Sequence, residues 1–167
     1  MGNVIKTLIF LVLFWFLFLL ALPIAVSIVE IEVGIQRFPP QLAVASLLLG
    51  VFTLLSLWAA LYLAVAGRGT PAAFAPPREF VINGPYAYVR HPFVIASIGQ
   101  GVGIGIAMGS IPVMFYVAAL TTVYYFLVRP SEERTLEQRH GDAARAYSRN
   151  VRGFRPRLTP YKISRID

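Results

Sequence analysis

Four uncharged apolar runs dominate this chain and leave little choice of fold. Residues 8–29 and 42–67 hold 22 and 26 residues without a charge, and residues 92–109 and 111–128 hold 18 each. A bilayer core of ~30 Å is crossed by about 20 apolar residues in a helix. The first two runs meet that length, the second with enough to spare for tilt. The last two are short but sufficient. Only Ser110 separates them, so they read as a tight hairpin, with Pro112 at a helix start where its missing N–H costs nothing. The expected fold is all-α: an integral membrane bundle of four transmembrane helices within a single membrane domain, residues 1–167. A cytoplasmic loop, 68–91, and a cytoplasmic tail, 129–167, complete it. The first run is expected to be a retained span. Only Lys6 precedes it as a charge, and it exceeds the ~7–15 residues of a signal-peptide core.

Charge sets the expected orientation. Ten of the 15 basic residues fall between Arg129 and Arg165, and Arg68, Arg78 and Arg90 lie in the 68–91 loop. The loop after the first run balances Arg37 against Glu30 and Glu32. The positive-inside rule then places both termini in the cytoplasm. The net charge of +7 therefore reports topology and contact with anionic headgroups. It is no signal for nucleic acid, because no basic helix with interleaved aromatics stands outside the membrane setting. The 13-to-2 ratio of Arg to Lys points to a GC-rich microbial source and a prokaryotic cytoplasmic membrane. The chain has no cysteine, which excludes disulfides and thiolate chemistry. With His91 and His140 as its only histidines, no metal site is expected.

Between the second and third runs, GRGTPAAFAPP is too rich in Pro and Gly for a long helix. After the fourth, Ser131 follows Pro130 as a natural N-cap, with Glu132 and Glu133 in the first turn. Leu136, His140, Ala143, Ala144, Tyr147 and Val151 recur at helical spacing, opposite Arg134, Arg145 and Arg149. This predicts a separate amphipathic cytoplasmic helix, weakened in mid-course by Gly141. VRGFRPRLTPY beyond it has too many prolines to stay helical.

Three clusters carry possible chemistry. In GPYAYVRHPF, Pro92 favours an extended His91, so Arg90 and His91 sit just before the third run. Read blandly, Arg90 snorkels to phosphate and His91 caps a helix. Read functionally, they clamp an anion, Arg90 through its planar fork. Glu132 and Glu133 complement a helix dipole. They also lie about 100° apart, so they face different partners. Gly101, Gly105 and Gly109 are spaced for close helix packing. GQGVGIG is no dinucleotide fingerprint, since no strand precedes it. If the last two runs form a hairpin, Arg90-His91 and Glu132-Glu133 meet at one membrane mouth. Opposed charges there suit a zwitterionic ligand.

GPYAYVRHPF, SEERTL, HGDAARAY and VRGFRP, in this order, resemble the isoprenylcysteine carboxyl methyltransferase and phospholipid methyltransferase superfamily over about residues 78–160. The resemblance implies S-adenosylmethionine held by Phe80, Val81, Tyr86, Arg90, His91, Pro92, Phe93, Glu132 and Glu133. It implies methyl transfer to a lipophilic acceptor entering from the bilayer. Arg129 or Arg90 would hold an acceptor carboxylate, and Glu132 would take a proton from a neutral acceptor. Val94, Ala96, His140, Ala144 and Gly153 depart from the family pattern, which has tyrosine, glycine, phenylalanine, tyrosine and arginine there. These departures are expected to fall on packing and acceptor-side positions. Two alternatives stand beside this reading: an NADPH-dependent membrane reductase of sterol-reductase type, and a non-catalytic membrane subunit.

Overall fold

The computed structural model describes residues 2–71 and 77–162. Among them all regular structure is helical: α1 (Gly2–Val33), α2 (Leu42–Ala66), α3 (Pro92–Met108) and α4 (Ile111–Asn150), with a single 3₁₀ turn at Gly84–Ala87. Helices α1, α2 and α4 are long and apolar enough to cross a membrane. The 17-residue α3 rises about 25 Å, short of a full bilayer core. The outward surface is apolar to a degree water would not tolerate: Phe115 is 72% exposed and Leu54 70%. Residues 72–76 of the Pro- and Ala-rich loop lie outside the described residues, as do 163–167.

The sequence predicts a helix break after the fourth run, and the structure corrects this. Helix α4 continues through Pro130 without a break there, running on to Asn150 across a kink at Gly141, and Ser131 is not its cap residue. Proline has no N–H, and its ring crowds the carbonyl four residues back. That carbonyl belongs to Phe126, which lies in a π-helical stretch, Tyr124–Val128. The widened turn relieves the clash and lets the helix pass through the proline. Helix α1 does the same. Pro23 would crowd Leu19, and Leu19 lies in the π-helical Trp15–Ala21. The Tyr116 hydroxyl donates to the Phe18 carbonyl of that stretch at 3.0 Å, which ties α4 to α1. The kink that α4 does contain is at Gly141, whose φ of +51° favours glycine. Past it, Ala144, Tyr147 and Val151 are buried, Ala143 is exposed, and Arg145 and Arg149 face outward, as does Arg134 before it.

The α3–α4 hairpin is as tight as expected. Ser110 caps α4 by accepting from the Val113 N–H at 3.1 Å. Gly109 ends α3 with φ +63°, and a Cβ there would lie 2.1 Å from the Phe38 carbonyl oxygen. Phe38 in turn donates its N–H to the Gly109 carbonyl at 3.0 Å. Gly109 is thus a turn residue, not a member of a packing stripe. The packing stripes of α3 are two. Gly101 and Gly105 face Val117 and Met114 of α4, while Gly99 and Gly103 face Phe52 and Leu49 of α2. Helix α3 is therefore pressed between two neighbours through small residues on both sides. Gln100 adds a buried bond, Nε2 to Thr53 Oγ1 at 2.9 Å. At the end of the bundle near Gly109, the fully buried Glu30 pairs with Arg37 at 3.1 Å. Arg37 also donates to the Ser27 carbonyl and hydroxyl.

A side chain at Gly99 would meet the Phe52 ring at 2.2 Å, whereas one at Gly103 meets the Leu49 side chain at 3.1 Å. Overpacking of the first kind costs about 1–3 kcal/mol, against a gain of about 1 kcal/mol for removing a helical glycine. Gly99→Ala is expected to lower the unfolding temperature in detergent and Gly103→Ala to leave it near wild type. Phe52→Leu should restore Gly99→Ala. Equal losses from both single variants would refute this packing assignment.

Candidate functional site

Pro92 opens α3 and holds the preceding His91 out of helical conformation, at φ −121° and ψ 59°. The RHP segment is then fixed from two sides. On one, the tail doubles back: Arg90 and His91 donate their N–H groups to the Arg152 and Gly153 carbonyls at 3.1 and 3.3 Å. Arg157 and Tyr161 return N–H bonds to Tyr88 and Ala87, both at 2.9 Å. On the other, the Tyr86 hydroxyl reaches the Ala59 carbonyl of α2 at 3.4 Å, and Tyr147 of α4 donates to the Tyr86 carbonyl at 2.6 Å. Beneath lies a small core of Ile82, Tyr147 and Val151, with Phe80 and Tyr161 packed on it. Burial pushes both the Tyr86 and Tyr147 hydroxyls above the usual tyrosine range, so each stays a neutral donor.

Onto this frame α4 brings Glu133. Its Oε1 lies 2.8 Å from Arg90 Nη1, 2.9 Å from Arg129 Nε and 3.4 Å from His91 Nε2. Burial opposes ionisation of this carboxyl. Hydrogen bonds from His91 and Arg129 and the charge of Arg90 outweigh it and hold the group down at about 2. Arg129 is held further by the faces of Tyr125 and Phe154, 4.8 and 6.0 Å from its guanidinium carbon. Glu132 points elsewhere. Its Oε2 accepts from the Tyr124 hydroxyl at 2.7 Å, and that hydroxyl also lies 2.9 Å from His91 Nδ1. The two carboxylates face different partners, as their spacing requires.

Between the RHP segment, the end of α2 and the outer part of α4 lies a cavity of about 400 Å³. Ligand sites run from ~300 to ~1,000 Å³. Val81, Tyr86, Arg90, His91, Pro92, Phe93, Glu132 and Glu133 line it. Phe80 stands behind the wall, its ring stacked on His140 at 4.8 Å, and Arg129 is also outside the lining, turned to Glu133 and the rings. Arg90 is 11% exposed at its side chain, and its Nε has no hydrogen-bond partner among the described residues. The bland reading of a snorkelling Arg90 and a capping His91 does not describe these contacts: His91 occupies the cap position but makes no cap bond. Among the described residues no group of three metal-ligating side chains occurs.

The five departures from the family pattern fall in two settings. Ala96 and Ala144 are fully buried. Val94 and His140, however, line the same cavity as Arg90 and Glu132, and Gly153 lies against His91 and Arg129. Sequence reasoning missed Tyr124, Tyr147, Ser131 and Arg139 as lining residues. The signal for Tyr147 was its place in the helical periodicity; Arg139, bonded to the Pro77 carbonyl at 3.2 Å, left none.

The depressed Glu133 carboxyl has a consequence for acid stability. The folded state favours the ionised form, so its contribution is complete above the ordinary value of 4.5. It is lost as pH falls from there through about 2. Glu133→Gln is expected to flatten the fall in unfolding temperature over that window, measured on detergent-solubilised protein. Parallel curves for variant and wild type would remove this network from the folding energetics.

Comparison with known proteins draws on most of this frame. Residues 40–143 match the phospholipid methyltransferase family, a span running from the start of α2 past Glu133 that holds both halves of the mouth. Cobalt-zinc-cadmium resistance protein CzcN of Cupriavidus metallidurans is 29% identical over 124 residues, 74% of this chain and 53% of that protein. The chain thus spans about half the length of the curated relative it matches. No solved structure matches the chain at a significant level. With 104 of its 167 residues inside the family match, the chain belongs to the phospholipid methyltransferase family.

Proposed function

We propose that this chain is an integral membrane methyltransferase that uses S-adenosylmethionine and acts on a lipophilic acceptor at the cytoplasmic face of a prokaryotic membrane. One observation carries the reading: RHP and EE, about 40 residues apart in sequence, line one cavity, and its Arg90 has a buried Nε–H with no partner among the described residues. A buried donor without an acceptor is costly unless a ligand supplies one. The carboxylate of an amino-acid-like ligand suits it, and the cavity is large enough for a nucleoside-sized molecule.

When bound, S-adenosylmethionine supplies a methyl group already activated on a sulfonium. The residues assigned to hold it are Tyr86, Arg90, His91, Pro92, Phe93 and Glu132, with the Phe80-Val81 segment beside them. Glu133 is engaged by Arg90, His91 and Arg129, so it is assigned to setting Arg90 and His91 in place. Arg129 belongs to the same support, and its role toward an acceptor is indirect. Glu132, 44% exposed at its side chain, is the carboxylate left to meet ligand hydroxyls or an ammonium group, and to take a proton from a neutral acceptor. Glu133, acidic to about 2, is no proton acceptor. The chain's contribution is alignment and exclusion of water by the apolar wall of Leu63, Val81, Phe93 and Val94.

Calorimetry of purified protein with S-adenosylmethionine is expected to show saturable binding. Arg90→Ala should weaken it by roughly 10- to 100-fold, the worth of a charge-assisted hydrogen bond. Glu132→Gln should also weaken it, while Arg145→Ala, on an exposed surface, should not. Binding unchanged in both site variants would defeat the site assignment, and transfer of labelled methyl from the cofactor into a lipid extract tests the acceptor class.

A further inference from the structure

Tyr124 belongs to neither motif, yet its hydroxyl touches a side chain of each. It lies 2.7 Å from Glu132 Oε2 and 2.9 Å from His91 Nδ1. A hydroxyl has one proton, and a carboxylate only accepts. The proton therefore goes to Glu132, and His91 Nδ1 stands within hydrogen-bond distance of the same oxygen. This chain of bonds fixes the direction of the Glu132 carboxylate and anchors it to the RHP segment at the same time.

The register of α4 makes the contact possible. Tyr124 and Glu132 are eight residues apart. In an unbroken α-helix that separation leaves side chains about 80° apart around the axis, whereas seven residues make two turns and return to the same side. The π-helical Tyr124–Val128 widens a turn by about one residue, so eight positions do the work of seven. Pro130 is the reason for the widening. A tyrosine near a membrane mouth has a plainer use, as part of an interfacial aromatic belt. The neighbouring Tyr125, 43% exposed, fits that use; Tyr124 lines the cavity with its hydroxyl turned inward.

We propose that Tyr124, set in register by the widened turn before Pro130, is a positioning residue that holds Glu132 toward the ligand cavity. The proposal rests on the cofactor reading above. The probe is S-adenosylmethionine, titrated calorimetrically into full-length protein in lipid nanodiscs, with unfolding temperature measured alongside. Tyr124→Phe keeps the ring and removes only the hydroxyl; it is expected to weaken binding roughly 5- to 20-fold. In a Glu132→Gln background the same change should add little, because the hydroxyl acts through that carboxylate. Pro130→Ala, which lets the helix rewind, should reproduce the loss with no drop in unfolding temperature, and it carries the test should Tyr124→Phe misfold. Binding by Tyr124→Phe within about twofold of a binding wild type overturns the positioning role and leaves the cofactor reading intact. A full loss from Tyr124→Phe in the Glu132→Gln background also overturns it, since the tyrosine would then serve the fold rather than Glu132. Absence of binding by wild type overturns the cofactor reading, and the positioning role with it.

Discussion

Glu133 gathers Arg90 from the segment before α3, His91 from the residue that precedes Pro92, and Arg129 from its own helix around one carboxylate oxygen. Buried charges of this kind contribute little net stability, because desolvation offsets most of their attraction. Their geometric effect is larger. Removing the carboxylate would leave two guanidinium groups close together at a partly buried mouth, so the arrangement tolerates little displacement of any member. The RHP segment is thereby locked to α4 across 42 residues of sequence. Occupying Glu133 in this way also divides the labour between two adjacent acids, one committed to the protein and one facing the cavity.

That lock would be useless on a loose scaffold. Helix α3 begins at Pro92, directly after Arg90 and His91, so any slide of α3 moves both side chains. The two glycine stripes prevent it. Gly99 and Gly103 admit α2, and Gly101 and Gly105 admit α4, with the Phe52 ring and Val117 closest to the α3 backbone. Within apolar surroundings, where burial of apolar surface contributes no net drive between helices, close packing of small residues and the buried Gln100–Thr53 bond do the holding. The tail completes the frame through backbone bonds to residues 87–91, which commit the turn of chain before α3 as firmly as α3 itself.

Much of this was legible in the sequence because it rests on local patterns. Uncharged runs gave the helices, Ser110 and Pro112 the hairpin, and RHP with EE the residues that line the cavity. What was not legible depended on competition between local and non-local effects. Pro130-Ser131 followed by two acids carries every signal of a helix start, yet the helix runs through it, because one widened turn costs less than breaking a ladder at a membrane mouth. The same event hid Tyr124, since its place beside Glu132 exists only after the register shift. The second glycine stripe was overlooked because Gly109 fits a four-residue spacing while serving as a left-handed cap. The returning tail left no periodic trace: its bonds are made by backbone groups, which every residue possesses.

The five departures from the family pattern make more sense in this frame than as scattered losses. His140 replaces a phenylalanine but still stacks on Phe80, with ring planes 21° apart, so an aromatic surface is kept at the cavity wall. Gly153 replaces an arginine beside His91. A Cβ there would lie 3.3 Å from His91 and 3.7 Å from the Arg129 guanidinium, so a longer side chain would share this space with a cation from α4. Arg129 is clasped between Tyr125 and Phe154 and bonded to Glu133, which gives the mouth a fixed guanidinium without one from position 153. Ala96 and Ala144 are fully buried, where a change of volume acts on neighbours rather than on ligand contacts. Val94 is the departure that alters the character of the cavity wall itself, exchanging a hydroxyl-bearing ring for a small apolar group beside Phe93. The charged groups of the mouth are thus held in place by one another, and Val94 leaves the wall beside Phe93 apolar.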